Sequence, residues 1–274
     1  MRTYSERSAY ENLRAVSQSE LKVLQRSPRR FQAQYILKTL QVEPSDAMEF
    51  GSLVHTMTLQ PHLVNEQYVS IPADALTSNG QRRGKAWEQF VVDNADKTPV
   101  RESDFRRATT IAESVWQHPF FQLASEWVEH VEKPIAWIDP DAEVACKGIP
   151  DIVCSNEWII DLKTTNDLTG FLQGQDVLTS SKIAEFGYHI QAAFYLRGAT
   201  QFYGSPKTRF ALLVVETQLP HRVYAIELSQ AAIFAGEGTM VRLLREYKQR
   251  IESNDWSEEG ENHLLQVGLP SWAL

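Results

Sequence analysis

Gly148-Ile149-Pro150-Asp151, followed by Ile159-Ile160-Asp161-Leu162-Lys163-Thr164-Thr165, is the stretch whose reading decides the fold. Val144 to Val153 reads as one strand, Ser155-Asn156-Glu157 as a turn and Trp158 to Thr164 as a second strand, together a β-hairpin. Side chains alternate between the faces of a strand. Asp161 and Lys163 therefore project to one side, and Ile160 and Leu162 to the other, into a core. With the turn centred near Asn156, Asp151 falls close to Asp161 across the hairpin. Like charges facing each other in a sheet are unfavourable unless compensated, and a divalent cation is the simplest compensation because hard cations take carboxylate oxygens. The plain alternatives are a turn residue for Asp151 and an exposed same-face pair for Asp161 and Lys163. The second is disfavoured because Ile159, Ile160 and Leu162 mark a central strand, where charge is costly. Two acids and a lysine are the parts of a metal-dependent phosphodiesterase.

The rest of the chain sets bounds on this reading. Its 274 residues supply ample material for a buried core, and 43% apolar with 23% charged residues is ordinary for a globular protein. No apolar run approaches the roughly 18 residues that span a bilayer, and Met1 to Arg7 lacks the apolar core of a signal peptide, so a cytoplasmic protein without membrane contact is expected. The two cysteines, Cys146 and Cys154, are too few for an iron–sulfur cluster, which takes four ligands, and read as small buried hydrophobes. A net charge of −8, from 27 basic and 35 acidic residues, argues against a uniformly DNA-binding surface. Basic residues nevertheless cluster in the first 110 positions: Arg26, Arg29, Arg30 and Lys38; Arg82, Arg83 and Lys85; Arg101, Arg106 and Arg107. Each cluster alone is more often a solvated face than a DNA track, and their confinement to the first 110 residues shifts that balance toward a track.

Local signals give an order of elements. Ser17 to Glu20 forms a capping box opening a helix with Leu21 and Leu24, and Pro28 starts a second helix with Phe31 and Tyr35 on one face. Met48 to Leu59 reads as a third, with Phe50, Val54 and Met57 as its apolar stripe and His55 off that stripe. Residues 62 to 100 read as irregular. Ser103 is placed to cap a helix to about Trp116. Strands are expected at about 133–138, 144–153, 158–164, 208–216 and 222–228, with a helix from Lys182 to Phe202 and a last one from a Ser229 cap to about Ser253. Beyond Asn254, Trp256 and Trp272 are apolar enough to dock on the body or on another subunit. The pattern predicts one α/β domain, a mixed sheet flanked by helices with a mainly helical N-terminal part over residues 1–120 and a core over 130–230.

Four motifs in order carry a family resemblance: Phe50-Gly51-Ser52-Leu53-Val54-His55, Pro150-Asp151, Asp161-Leu162-Lys163-Thr164, and Tyr188-His189-Ile190-Gln191-Ala192-Ala193-Phe194-Tyr195. As a set they resemble the PD-(D/E)xK nuclease superfamily, RecB-like branch. With Leu21-x-x-Leu24-x-x-Ser27-Pro28 in front, they look most like the exodeoxyribonuclease VIII (RecE) type found in prophages. The resemblance covers roughly residues 17 to 230 and implies a restriction-endonuclease-like fold.

By that resemblance, Asp151, Asp161, the Leu162 carbonyl and His55 would hold Mg²⁺ or Mn²⁺, and Lys163 would orient water or neutralise the phosphate. Tyr188, Gln191 and Tyr195 fall at i, i+3 and i+7, one helical face. Gln191 would position a phosphate oxygen or water, and the tyrosines would support it. Arg29, Arg30, Arg82 and Arg83 are the candidate DNA contacts. The implied activity is a 5′→3′ exonuclease on double-stranded DNA that leaves 3′ single strands for recombination. The implied partner is a single-strand annealing recombinase, and the implied assembly a ring. Two alternatives stand beside it: a RecB-type or CRISPR-associated nuclease acting on single strands or internally, and a non-catalytic nucleic-acid-binding subunit.

Overall fold

The computed structural model describes residues 9–173, 179–258, 260–261 and 263–269. Its centre is a five-stranded mixed sheet in the order β3-β6-β7-β8-β9, comprising β3 (Val128–Val131), β6 (Ile152–Cys154), β7 (Trp158–Thr165), β8 (Arg209–Glu216) and β9 (Val223–Glu227). Within this sheet β7 and β8 are the pair that runs parallel, with Asp161 beside Leu212 and Lys163 beside Val214. Both faces of these two strands are covered. That is why β8 reads Phe210-Ala211-Leu212-Leu213-Val214-Val215 without a polar break.

Alternation sorts those side chains into two cores. Ile159, Phe210, Leu212 and Val214 face α1 (Gln18–Arg26), α5 (Tyr188–Tyr203) and α6 (Gln230–Ser253), whose buried residues include Leu21, Phe194 and Leu243. Ile160, Leu162, Leu213 and Val215 face α2 (Asp46–Leu59) and α3 (Glu102–Trp116), through Leu53, Val54 and Ile111. The sheet is thus sandwiched between helices, the mixed α/β arrangement expected.

Several helix signals act as written. Ser17 and Glu20 form a reciprocal capping box, Ser229 caps α6, and Phe31 contacts Tyr35 with ring centroids 5.2 Å apart. Trp256 is 3% exposed and stacks on Phe31 at 5.3 Å, tying the C-terminal segment to the N-terminal helices. Trp272 lies outside the described residues. Among the described residues no helix is long and apolar enough to cross a membrane.

Other boundaries differ. The expected strand 144–153 is two strands: β5 (Ala145–Gly148) pairs with β4 (Ile135–Ile138), and β6 joins the central sheet. Pro150 lies in the break, as a residue without an N–H must when the flanking strands are both paired. Residues 62–100 are structured. β1 (Tyr68–Ile71) pairs in parallel with β2 (Thr98–Arg101), and a helix spans Lys85–Asp93. The helix Pro28–Phe31 runs into a π-helical turn at Gln32–Ile36. α3 starts at Glu102 with Arg101 in the cap position, so Ser103 lies inside the first turn. A short helix, Pro119–Ser125, and strand β3 also precede the expected strands. The expected helix 182–202 is divided at Gly187 into α4 (Ser181–Glu185) and α5.

Candidate active site

The antiparallel register of β6 and β7 matches Ile152 with Ile160 and Val153 with Ile159. One step further toward the break this puts Asp151 opposite Asp161, the pairing the turn at Asn156 predicts. Asp161 is fully buried and Asp151 is 8% exposed. Each is held by a different set of donors. Oδ2 of Asp151 accepts the Leu162 backbone N–H at 2.7 Å and lies 2.8 Å from Nε2 of His55. Oδ1 of Asp161 accepts the Gln191 side-chain amide at 2.8 Å, and Nζ of Lys163 stands 2.5 Å from its Oδ2. Asp161 Oδ2 is thus buried against the Lys163 ammonium.

Each element delivers its residue for a local reason. α2 brings His55 in because Gly51, one turn earlier, lets the helix approach β7; a Cβ there would stand 3.0 Å from the Thr164 hydroxyl oxygen. α5 brings Gln191, Tyr188 and Tyr195 on one face, while Ile190 and Phe194 fill the core beneath. The Tyr188 ring centroid lies 5.2 Å from Lys163 Nζ.

The electrostatics split the two acids. Burial pushes the Asp161 carboxyl up, and the Asp151 charge pushes it further, to about 6 against the opposing pull of Lys163 and His55. Burial would also raise Asp151, but His55, Lys163 and the Leu162 N–H outweigh it and hold the carboxyl below its ordinary value. For His55, burial is likewise overruled, by the Asp151 and Glu132 carboxylates, and its pKa rises to about 10. Lys163 is raised too: burial pulls it down, and Asp161 and Asp151 more than compensate. That favours the ammonium form and a charge-stabilising role over that of a general base.

A divalent cation fits this donor set. Two carboxylates face each other, and a histidine and a strand carbonyl lie alongside. Among the described residues, no three acidic, histidine or cysteine side chains stand ready as a preformed cage. In this arrangement His55 and Lys163 rest on carboxylate oxygens that would ligate a cation, so a bound ion would take over or share those contacts.

Of the sequence-derived candidates, the structure gathers His55, Asp151, Asp161, Leu162, Lys163, Tyr188, Gln191 and Tyr195 in one place. It does not gather the arginines with them. Arg29 makes a two-nitrogen pair with Glu261 at 2.7 to 3.0 Å. Arg82 lies over Trp87, and Arg30 and Arg83 are exposed. Cys146 and Cys154 are free, and burial raises their thiols to about 12 and about 11, as suits core residues.

One member of the site is not among those candidates. Glu132 Oε1 lies 3.0 Å from His55 Nδ1, and its backbone N–H donates to the Asp151 carbonyl at 2.7 Å. With φ 45° it occupies a conformation uncommon for a non-glycine residue. Glu129-His130-Val131-Glu132 lies ahead of the expected strand at 133–138, in a segment with no apolar periodicity. The one signal was a carboxylate immediately ahead of Lys133-Pro134 and a core strand.

A mixed sheet whose break carries Pro-Asp, facing an Asp-x-Lys strand and a Gln helix, defines the PD-(D/E)xK nuclease fold. Residues 17–264 match the family model of a PDDEXK-like domain of unknown function (DUF3799), and the chain belongs to that family. A crystal structure from Eubacterium rectale, of a protein described as a putative exonuclease, aligns over 97% of this chain and 94% of its own. It does so with a TM-score of 0.64 at 15% identity, a likeness of fold. A second solved structure, that of SSO0001, covers 85% and 86% at 14% identity, but its TM-score of 0.30 carries no argument. No curated protein matches the sequence. Family and fold bear out the superfamily resemblance and leave the particular likeness to exodeoxyribonuclease VIII without support.

Proposed function

We propose that this protein is a divalent-metal-dependent DNA exonuclease that digests double-stranded DNA 5′→3′ and leaves 3′ single strands for recombination. The observation that carries the hydrolytic part is the facing pair Asp151 and Asp161, buried together beside His55 and Lys163. Burying two like charges side by side is costly. His55 and Lys163 offset part of that cost, yet Asp161 is still held up at about 6, and a divalent cation is the compensation this pair suits. Asp151, Asp161, the Leu162 carbonyl and His55 would hold Mg²⁺ or Mn²⁺. The ion would supply Lewis-acid stabilisation of the phosphate and an acidified water.

The chain's own residues do the rest. Lys163, kept charged, neutralises the negative charge that develops on the phosphate. Gln191 fixes the Asp161 carboxylate through the oxygen it donates to. Glu132 orients His55 by its Nδ1 contact, as a partner on the far ring nitrogen does for a ligating histidine. Tyr188 and Tyr195 wall the site, and Arg30, Arg82 and Arg83 are exposed to take DNA backbone. Polarity, duplex preference, the annealing recombinase partner and a ring assembly rest on resemblance to the exodeoxyribonuclease VIII type. A ring would let captive DNA be digested processively despite a net charge of −8.

Linear duplexes labelled at the 5′ or the 3′ end, set beside a covalently closed circle, test this reading. Early release of mononucleotides from the 5′ label with the circle intact is expected. A cut circle would move the assignment to an endonuclease. DNA binding without cleavage would move it to a binding subunit.

A further inference from the structure

Gly187 has φ 67°, in the left-handed region that favours glycine because it has no Cβ. The bend ends α4 at Glu185, starts α5 at Tyr188, and leaves Phe186 half-buried between them. Two ammonium groups from different elements converge on that ring. Nζ of Lys22, on α1, lies 5.9 Å from its centroid, and Nζ of Lys182, on α4, lies 5.4 Å away. The Tyr188 ring follows at 5.6 Å, and Lys163 stands over Tyr188. The two rings, flanked by lysines at either end, thus form a continuous path that ends at Asp161, against which Lys163 rests.

Fold stability does not explain this path. A cation over an aromatic ring at a wet site contributes about 0.5–1 kcal/mol, and a second lysine on the same ring adds repulsion to whatever it gains. The neighbours of Lys22 do not offset its charge: burial, Arg26 and Lys163 all push its pKa down. Lys182 also meets the exposed Glu185 carboxylate at 3.6 Å, a surface pair that contributes little. Lysines gathered beside the site form a field suited to an anion, and the rings next to them suit the faces of bases.

We propose that Lys22, Lys182 and Phe186, with Tyr188, form a binding track for the DNA strand next to the scissile phosphate, the lysines on a backbone phosphate and Phe186 stacked on a base. This rests on the nuclease reading and deepens it. A base stacked on Phe186 is an unpaired base, so the track takes the strand after it has parted from its complement.

The test is fluorescence anisotropy of a labelled single-stranded oligonucleotide in Ca²⁺ at several salt concentrations, with nucleotide release in Mg²⁺ measured in parallel. Phe186→Ala is expected to weaken binding roughly 5- to 100-fold, the cost of one lost stacking contact, and Phe186→Trp to restore it. Lys22→Gln and Lys182→Gln are each expected to lower the salt slope by about 0.7, as one lost phosphate contact does. Circular dichroism identifies any variant that fails to fold, and Phe186→Trp then carries the test. Unchanged affinity and slope in variants of a wild type that binds and cleaves would overturn the track. So would lower turnover at unchanged affinity, which would make the cluster a support for Lys163. A wild type that neither binds nor cleaves DNA would remove the nuclease reading, and the track with it.

Discussion

The side-chain amide of Gln191 donates to Oδ1 of Asp161 at 2.8 Å across the interface between α5 and β7. Glutamine has no useful acid or base chemistry, so its effect is to hold that carboxylate in one rotamer. Loss of such an outer partner typically lowers metal affinity or activity by about 10- to 100-fold. Gln191→Ala is therefore expected to reduce kcat by that amount with circular dichroism unchanged. Gln191→Glu, which sets a third carboxylate beside Asp151 and Asp161, is expected to be worse. Equal activity in all three proteins would show that Gln191 is a packing residue.

Asp161 is ionised at neutral pH in a place that opposes its charge. Its folded pKa of about 6 lies above the ordinary 3.8. As pH rises from 3.8 to 6 the unfolded chain loses this proton first, so stability is lost over that window and stays lost above it. The shift corresponds to a cost on the order of 3 kcal/mol in the metal-free protein. Asp161→Asn is expected to melt several degrees higher than wild type at pH 7.5 in EDTA, with the difference fading below about pH 4. Added Mn²⁺ is expected to stabilise wild type and leave the variant unmoved. A variant that melts lower in EDTA at pH 7.5 would contradict this electrostatic picture.

His55, with a pKa raised to about 10, carries a proton at pH 7.5 while it sits between Asp151 and Glu132. A metal ligand must be neutral imidazole, so metal binding releases that proton. Calorimetric titration with Mn²⁺ in two buffers of different ionisation enthalpy is expected to give about one proton released per ion. His55→Gln is expected to release close to none and to bind more weakly. Equal proton release in both proteins would place His55 outside the coordination shell.

α5 is held in place by α6 at Gly236, where a Cβ would come within 2.0 Å of the His189 carbonyl oxygen. Gly236→Ala gains up to about 1 kcal/mol of helix propensity. The clash meets backbone on both sides, and overpacking of that kind costs about 1–3 kcal/mol or more. The variant is expected to lower the urea midpoint and, by shifting the helix that carries Gln191, to lower activity even where it is folded. A stabilised variant of full activity would show that the helices part freely.

Much of this site was legible because its residues carry their own periodicity. Asp161 and Lys163 stand out as charges in an apolar strand, Asp151 follows from the turn at Asn156, and Tyr188, Gln191 and Tyr195 share a helical face. Glu132 was not legible, because it reaches His55 through a backbone conformation no local pattern announces. The break at Gly187 was hidden for a related reason: glycine is tolerated inside helices, and the apolar pattern runs on through it. Pro150 carried a signal of the split between β5 and β6, since proline rarely sits within a paired strand, but the apolar pattern on both sides reads as one strand over 144–153. The parallel pairing of β1 with β2 joins segments whose contact is purely tertiary.

The most direct measurement is release of acid-soluble nucleotides from linear duplex DNA by wild type and Asp161→Ala, each in Mg²⁺ and in EDTA. Steady release by wild type in Mg²⁺, with none in EDTA and a loss of at least about 10³-fold in the variant, is the expected result, since the substitution removes a ligand of the catalytic ion. Release that persists in EDTA, or in Asp161→Ala at the wild-type rate, would contradict a metal-dependent hydrolysis centred on Asp151 and Asp161.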